Sequence, residues 1–263
     1  MLARFLLVHS CVIVPAFQAA KTLGAVLEDL TTTLPALGKD AIFVVDDGST
    51  DGTANVARRH GVRVVSHVRN RGKGAALRNG AAEAAQLGYD VAVTVDADGQ
   101  HPASAARVVL EVSDDPNDLV LGVRDLVAAG APRKNQLSNG FSNRVLSTFA
   151  RASLDDTQCG LRRYPIAPVL SLGCRAEGYA FEAEVLLRAL AAGMRIVQVP
   201  VMVIYPPEGT RVTHFHSVRD PARIVGTVLR TMVDVHVTRS APRSVVRLPV
   251  RDSVDKRASL AAE

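Results

Sequence analysis

The stretch VAVTVDADGQHP, residues 91–102, decides the fold. A continuous apolar run stands directly before two aspartates, Asp96 and Asp98, that one residue separates. Strands that are apolar on both faces are typical of a parallel sheet covered by helices, and ligands of such sheets bind at the carboxyl ends of the strands. The stretch therefore predicts a buried strand with a polar site at its end.

The same pattern recurs on both sides of this stretch. Further strands are predicted from Cys11, Ala41, Val62 and Leu119, and over residues 195–205. Helical patterns cover residues 19–34, 51–60, 73–87, 102–112, 135–151 and 181–192. The segment DDTQCGLRRYP, residues 155–165, has neither pattern and is predicted to be irregular. This alternation indicates an α/β class with a Rossmann-like, mostly parallel sheet flanked by helices.

The domain organisation is predicted to be simple, because no linker or low-complexity tract divides the chain. We expect one domain over residues 8–239 and a flexible basic tail over residues 240–263. Near the end of the domain, apolar residues recur at helical spacing. Packing against the body of the protein is the first interpretation of this helix, and a position on an anionic membrane surface is the alternative. The apolar positions are Ile224, Val225, Val228, Leu229, Met232 and Val235.

Composition excludes several classes of protein. Apolar residues make up 48% of the 263 and charged residues 22%, which predicts a packed core. The net charge is +5, but the chain has no Trp and only 4% aromatic residues, so a nucleic-acid partner is not expected. Three cysteines without metal-type spacing fit a reducing cytosol. No apolar run reaches the ~18 residues of a spanning helix, so we expect a cytoplasmic protein whose membrane contact, at the inner face, is at most peripheral.

The aspartates of the opening stretch have the chemistry of a metal site. Mg²⁺ and Mn²⁺ prefer oxygen ligands, usually one or two carboxylates together with substrate phosphates. A second acidic strand end, Asp46 and Asp47, lies two predicted strands earlier and is followed by GSTDGT. Capping of the next helix explains the later residues of that segment but not its adjacent carboxylates.

A glycine-rich basic segment, NRGKGAALRNG at residues 70–80, lies between these two acidic ends. Its spacing matches neither the P-loop nor the dinucleotide fingerprint. Gly72 and Gly74 at a helix start nevertheless allow a phosphate to approach closely, and Lys73 or Arg71 supplies positive charge. The alternative interpretation is a surface turn with two solvated cations.

Taken together, these segments resemble the family 2 glycosyltransferases of the GT-A fold, and within that family the enzymes that make dolichyl- or polyprenyl-phosphate sugars. The resemblance extends over roughly residues 12–205 and depends on the joint order of its motifs. These are VIVPAF from Val12, VVDDGSTDGT from Val44, NRGKGAALRNG from Asn70, VDADGQHP from Val95, GVR ending at Arg124, DTQCGLRRY from Asp156 and FEAE from Phe181.

The resemblance implies a role for individual residues. The nucleotide-sugar site would comprise Pro15, Phe17, Val45, Asp47, Lys73, Asp96, Ala97 and Asp98. Asp98 and Gln100, with Asp96, would hold Mg²⁺ or Mn²⁺, and Arg124 would face the sugar or phosphate. A UDP-sugar, with glucose as the leading hexose, is the favoured donor, and a GDP-sugar is the alternative. Ala19 stands where the family commonly has a carboxylate, which leaves base specificity open.

The expected reaction is a single displacement with inversion, for which Asp98 and Arg124 are catalytic candidates. A polyprenyl phosphate or other lipid-linked acceptor is already an anion, whereas a hydroxyl acceptor needs a general base. Asp156 and Glu184 are the candidates for that base, and a turn cap and an exposed helix position are their structural alternatives. Rival hypotheses are a nucleotidyltransferase and a non-catalytic nucleotide-sugar binding protein.

Overall fold

The computed structural model describes residues 8–205, 219–237 and 244–249. Within these ranges the strands are β1 (Ser10–Ala16), β2 (Ile42–Asp46), β3 (Arg63–Ser66), β4 (Val91–Thr94), β5 (Leu119–Arg124), β6 (Arg162–Pro165), β7 (Arg195–Val201) and β8 (Ser244–Arg247). The α-helices are α1 (Leu23–Thr33), α2 (Thr53–His60), α3 (Lys73–Gln86), α4 (Ala103–Glu111), α5 (Arg133–Ala150), α6 (Ile166–Ser171), α7 (Ala180–Ala191) and α8 (Arg219–Val237). Two short 3-10 helices, Pro35–Leu37 and Lys39–Ala41, precede β2.

The strands form one mostly parallel sheet in the order β3-β2-β1-β4-β6-β5-β7-β8. Only β6 is antiparallel, and it pairs with β4 on one side and β5 on the other. The direction of the chain through the sheet reverses between β1 and β4, where ligands of open α/β sheets bind. The predicted α/β class, with a mostly parallel sheet flanked by helices, is confirmed.

Hydrophobic layers cover both faces of the sheet, as expected for strands that are apolar throughout. Along β1, Ile13 faces one layer and Val12 and Val14 face the other. The first layer contains buried residues of α3, α5, α6, α7 and α8. The second contains those of α1, α2 and α4. No helix in the described ranges is both long and apolar enough to cross a bilayer.

The segment predicted to be irregular contains β6, and that prediction is wrong for Arg162–Pro165. Two successive arginines do not look like a central strand, yet Arg162 and Arg163 are buried. Their guanidinium groups donate to backbone carbonyl oxygens, which supplies the partners that buried charges require. Arg162 donates to Cys159, Glu182 and Thr157, and Arg163 to Ser113 and Asp115.

The C-terminal region differs in part from a simple tail. Ser244–Arg247 form β8, which pairs in parallel with β7 at the edge of the sheet. Arg247 donates to the Asp155 carboxylate, with its Nη2 atom 2.6 Å from Oδ1. The last strand before it, predicted over residues 195–205, ends at Val201. In the late helix, Val228 is buried and Ile224 and Met232 pack against the core, as the first interpretation of that helix predicts.

Candidate active site

The loops that follow β1 and β2 are joined by hydrogen bonds. Gln18 has a positive φ of 50°, and its side-chain Oε1 accepts the N–H groups of Thr50 and Asp51. In the opposite direction, the Gln18 N–H donates to Ser49 Oγ at 2.9 Å. The polar segment after β2 therefore fixes the loop after β1, which carries Phe17. Asp51 Oδ1 also accepts the Thr53 N–H at the start of α2.

Asp47 lies buried directly after β2 and organises the glycine-rich segment. Its Oδ1 is 2.6 Å from His67 Nδ1 and accepts the Arg71 N–H, and its Oδ2 accepts the Gly72 N–H. Asn79 Nδ2 lies 2.9 Å from the other ring nitrogen of His67. A carboxylate that accepts several hydrogen bonds at close range holds its donors firmly. The strand end at Asp47 thus positions the start of α3.

Lys73, the first residue of α3, joins two carboxylates at the carboxyl end of β4. Its Nζ is 2.6 Å from Asp96 Oδ1 and 3.1 Å from Glu182 Oε1 on α7. Burial by itself would lower the pKa of Lys73, but the charges of Asp96 and Glu182 outweigh it and raise that pKa. Burial likewise would raise the pKa of Asp96, and the neighbouring Lys73 lowers it. Lys73 and Asp96 therefore form an ion pair at neutral pH.

Gly160, just before β6, allows this cluster to form. A Cβ atom at position 160 would lie 2.6 Å from Lys73 Nζ and would also overlap Asp96 Oδ2. Only glycine leaves room for the ion pair at this point. His101 is also buried nearby, and burial first, then the positive charge of Arg124, holds its pKa below the usual value despite the opposite effect of Asp96.

Asp98 and Gln100 lie on the loop after β4, on either side of Gly99, which has a φ of 75°. Asp98 Oδ1 accepts the Gln100 N–H at 3.0 Å, and the Gln100 carbonyl accepts the Ile204 N–H. Both side chains are half-buried, and with Asp96 they offer two carboxylates and an amide oxygen, which are ligands suited to Mg²⁺ or Mn²⁺. In the described ranges, no group of three His, Cys, Asp or Glu side chains could hold an ion.

Arg124, at the end of β5, is held by Asp156. Arg124 Nε lies 2.7 Å from Asp156 Oδ2 and Nη2 lies 3.0 Å from Oδ1, which is a two-point contact. The carboxylate also accepts the backbone N–H groups of Arg124 and Gln158. Burial would lower the pKa of Arg124, but the hydrogen bonds and charge of Asp156 raise it. Asp156 is completely buried, so its oxygen atoms are fully engaged with these partners.

A groove of about 690 Å³ opens beside Arg124, between the ends of β5 and β7 and one side of α5. Asn139, in its wall, is buried and its Oδ1 has no hydrogen-bond partner in the part of the chain that the structure describes. Val127 and Met202 expose 73% and 65% of their surface. The apolar lining comprises Val123, Leu126, Val127, Pro200, Val201 and Met202, and the polar lining Arg124, Asp125, Gln136, Asn139, Gly140 and Asn143.

Glu184 lies elsewhere, on the buried side of α7. Its Oε2 accepts the N–H groups of Arg175 and Ala176, and its Oε1 accepts from Arg188. The loop that it holds packs against α3, where a Cβ atom at Gly74 would lie 2.6 Å from the Ala176 carbonyl oxygen. Glu184 therefore supports the segment that carries Lys73 and is neither exposed nor beside Arg124.

The structure brings most of the expected residues to one end of the sheet, with one exception. Pro15, Phe17, Asp47, Lys73, Asp96, Ala97, Asp98, Gln100 and Arg124 all lie at or directly after the carboxyl ends of strands or at the start of α3. Val45 is fully buried within β2, and its side chain belongs to the core.

Sequence reasoning missed Glu182 and Gly160. Glu182 and Glu184 are two positions apart on α7, a helix that is buried on nearly all sides, so a helical pattern does not show which one faces Lys73. The available signal was the N-terminal position of Glu182, because the first turn of a helix favours an anion beside a site. For Gly160, the only signal was a glycine next to a strand end.

Comparisons with known proteins agree with this geometry. The profile described as Glycosyl transferase family 2 matches residues 11–174. The UDP-N-acetylglucosamine–dolichyl-phosphate N-acetylglucosaminyltransferase of Methanococcus voltae is 32% identical, over 73% of this chain and 84% of that protein. The polyprenol monophosphomannose synthase of Mycolicibacterium smegmatis is 28% identical, over 73% and 76%.

Solved structures show the same fold. The glucosyl-3-phosphoglycerate synthase of Mycobacterium tuberculosis, in complex with Mg²⁺ and UDP, aligns with a TM-score of 0.68 at 20% identity. The alignment covers 89% of this chain and 81% of that one. The fold expected from the resemblance, GT-A, is thereby confirmed. The family profile, the relatives and the geometry of the strand ends lead to one conclusion: this chain belongs to glycosyl transferase family 2 and is a glycosyltransferase.

Proposed function

We propose that the protein transfers a hexose from a UDP-sugar to a polyprenyl phosphate, with inversion and with a divalent cation at the diphosphate. The observation that carries the proposal is the position of Arg124. This cation is fixed at one side of a groove whose lining includes six apolar residues. Such a groove suits an acceptor that has a phosphate and a hydrocarbon chain. The name of the Methanococcus relative contains dolichyl phosphate, an acceptor of this class, and the name of the Mycolicibacterium relative contains a polyprenol phosphate sugar.

The carboxylates support an acceptor that needs no general base. Asp156 has all its hydrogen-bonding capacity directed at Arg124 and backbone N–H groups, and Glu184 serves a distant loop. A phosphate monoester has its second pKa near ~6, so it is an anion and a nucleophile at neutral pH. A hydroxyl acceptor would need one of these carboxylates to take its proton. Asp156 is therefore proposed to position Arg124 and not to act as a base.

The donor half of the proposal follows the strand ends. Pro15, Phe17 and Asp47 would hold the nucleotide, and the segment from Asp96 to Asp98 would meet the ribose and diphosphate. UDP is supported by the name of the Methanococcus relative and by the UDP in the aligned glucosyl-3-phosphoglycerate synthase structure. A GDP-sugar is the alternative donor, and glucose is the first hexose to test.

The cation fits the residues present. Asp98 and Gln100, with Asp96, would be its protein ligands, and Mg²⁺ or Mn²⁺ would supply positive charge to the phosphate oxygens as the leaving group departs. Lys73 adds a second positive charge on the same side of the cluster. The acceptor phosphate oxygen attacks the anomeric carbon from the face opposite the nucleotide. The bond from that carbon to the diphosphate oxygen breaks, and its electron pair leaves with UDP.

Glu182 offers a contact for the sugar. Its Oε1 is buried and lies 3.1 Å from Lys73 Nζ, an ion-pair contact without hydrogen-bond geometry. A carboxylate oxygen has two lone pairs, so this atom can still accept a hydrogen bond. A sugar hydroxyl that donates to it would supply that bond. Glu182 is therefore proposed as a sugar-binding residue at the donor site.

The test is a product assay with matched acceptors. The purified protein is incubated with UDP-, GDP- and dTDP-hexoses, Mn²⁺, and either a polyprenyl phosphate or the corresponding polyprenol. We expect a hexosyl phosphate lipid and UDP from the phosphate acceptor, and no product from the alcohol. Transfer to the alcohol at an equal rate would contradict the argument that no base is needed. Release of pyrophosphate would indicate nucleotidyl transfer.

A further inference from the structure

Helix α5 presents an unusual surface on the side that faces away from the core. Leu137 and Phe141 are four residues apart, so they share one face of the helix, and they expose 75% and 68% of their surface. Arg133, Lys134 and Arg144 are exposed on the same side. We call these five residues the outer face of α5. Large apolar side chains that lie together on a surface generally mark a contact with another molecule.

The charges of α5 indicate which kind of molecule. Its sequence, RKNQLSNGFSNRVLSTFA, contains no Asp or Glu, so no acidic residue of the helix offsets the cations. The exposed stripe of α8, formed by Val225, Leu229 and Val233, contrasts with it, because that helix also carries an exposed carboxylate, Asp234. Apolar residues together with cations and without anions are typical of a helix that lies in the interface of an anionic bilayer.

We propose that the outer face of α5 docks on the surface of an anionic phospholipid bilayer. Leu137 and Phe141 insert among the acyl chains near the headgroups, and the three cations contact lipid phosphates. The inference rests on the proposed function, in which the acceptor is a polyprenyl phosphate. The phosphate of such a lipid lies at the depth of the headgroups, so the protein must reach the membrane surface to contact it. The inner side of the same helix, at Gln136, Asn139 and Asn143, lines the groove beside Arg124. Docking through α5 thus brings the groove to the acceptor.

A second copy of the chain is the less suitable occupant. A symmetric contact places the same surface on both partners. Two outer faces of α5 would bring six cations together without a carboxylate from the helix, and like charges at an interface are unfavourable. An anionic bilayer supplies the missing negative charge. It also explains why exposed apolar residues and cations alternate on one face.

The test is binding of the full chain to lipid vesicles. Vesicles of phosphatidylcholine are compared with vesicles that also contain phosphatidylglycerol, in sedimentation assays at low and high NaCl. We expect binding to the anionic vesicles only, weakened by salt. The combined change Arg133→Glu and Lys134→Glu should reduce affinity at least about tenfold, since each cation near an anionic surface contributes appreciably. Leu137→Asn with Phe141→Asn should reduce binding even at low salt.

The matched control is Arg58→Glu with Arg59→Glu on α2. These arginines are exposed, and their helix covers the opposite face of the sheet. Because both variants replace two cations by two glutamates, they have the same net charge. It should bind anionic vesicles nearly as the wild type does. Equal losses in the two variants would overturn the proposal, because attraction would then follow net charge and not the α5 surface. Wild-type protein that shows no preference for anionic vesicles would also overturn it.

Two further measurements separate this inference from the proposed function. Transfer to a short polyprenyl phosphate dissolved in detergent should be the same for the α5 variants and the wild type. If the wild type binds anionic vesicles through α5 but makes no lipid product, the proposed function fails and the docking surface stands. A concentration-dependent dimer that the α5 variants abolish would assign this face to a second copy and overturn membrane docking.

Discussion

Arg124 is held by Asp156 through two parallel contacts, with Nε 2.7 Å from Oδ2 and Nη2 3.0 Å from Oδ1. The carboxylate is completely buried and the guanidinium is 12% exposed on its side chain. A guanidinium fixed in this way cannot turn freely toward solvent, so its remaining N–H groups have a set direction. Asp156 therefore determines where the groove between β5, β7 and α5 has its positive charge.

Asp156→Asn tests this relationship. The amide has one acceptor oxygen in place of two, and its NH₂ group faces a guanidinium that can only donate. We expect the KM for the lipid phosphate to rise at least about tenfold and stability to fall by about 2 to 4 kcal/mol, as for other buried pairs that lose a partner. Donor affinity, measured by calorimetry, should change little.

The control for Asp156→Asn is Asp234→Asn. Asp234 pairs with Arg188 but is 45% exposed on its side chain, so the free energy of unfolding should change by at most ~0.5 kcal/mol. A base at position 156 makes a different prediction. Asp156→Asn would then leave the acceptor KM unchanged and remove the acidic limb of the pH profile of kcat, which would contradict the positioning role.

Lys73→Met tests the charge cluster through its pH dependence. The raised pKa of Lys73 gives stability that is complete at neutral pH, and the lowered pKa of Asp96 gives stability that is lost as pH falls below its usual value of about 3.8. At any pH between 5 and 8, we expect the free energy of unfolding of the variant to be about 2 to 4 kcal/mol below that of the wild type. The difference from wild type should narrow as the carboxylates are protonated in acid.

Denaturant titrations at several pH values provide this measurement. Lys39→Met is the control, because Lys39 is exposed and its loss should change stability by at most ~0.5 kcal/mol at every pH. A constant difference between wild type and Lys73→Met down to pH 3 would show that the stabilisation by Lys73 does not depend on the ionised Asp96 carboxylate. The account of the cluster would then be incorrect.

Gly160→Ala probes the close approach of β6 to the cluster. The added methyl group would lie 2.6 Å from Lys73 Nζ and would overlap Asp96 Oδ2, so the ion pair must shift. We expect UDP-sugar affinity to fall at least about tenfold and the melting temperature to decrease. Gly226→Ala on α8 is the control, because among the described residues nothing lies within 4 Å of the added Cβ, and alanine favours a helix. Unchanged donor affinity in Gly160→Ala would separate this cluster from the donor site.

Glu184→Gln distinguishes a structural carboxylate from a catalytic one. The change weakens the hydrogen bonds to Arg175, Ala176 and Arg188, so the loop against α3 should loosen and stability should fall by about 1 to 3 kcal/mol. The pH profile of kcat should keep its shape. Loss of one limb of that profile, with stability intact, would restore Glu184 as a general base.

The sequence predicted most of the sheet because its apolar runs are long and uniform. β1, β2, β4 and β5 were recognisable for this reason, and their polar ends located the site. β6 was not recognisable, because Arg162 and Arg163 become suitable for a central strand only when the carbonyl oxygens of distant segments accept their hydrogen bonds. Such partners come from tertiary structure, and no local pattern shows them.

The site shows the same limit. Asp96 and Asp98 could be proposed from position alone, because they follow a strand, whereas the role of Arg124 came from the family resemblance. The roles of Asp156 and Glu184 could not, since a carboxylate that acts as a base and one that holds a neighbouring group look alike in sequence. Their burial and partners, which only the fold determines, make the difference.

Calorimetric titration of UDP-glucose, with and without Mn²⁺, into wild-type protein and Asp98→Asn tests the central claim most directly. That claim is that carboxylates at the end of β4 hold a cation against the donor diphosphate. We predict that Mn²⁺ tightens binding at least about tenfold in the wild type, and that Asp98→Asn loses this dependence with its melting temperature nearly unchanged. Equal affinity with and without the cation in the wild type, or full metal dependence in Asp98→Asn, would contradict it.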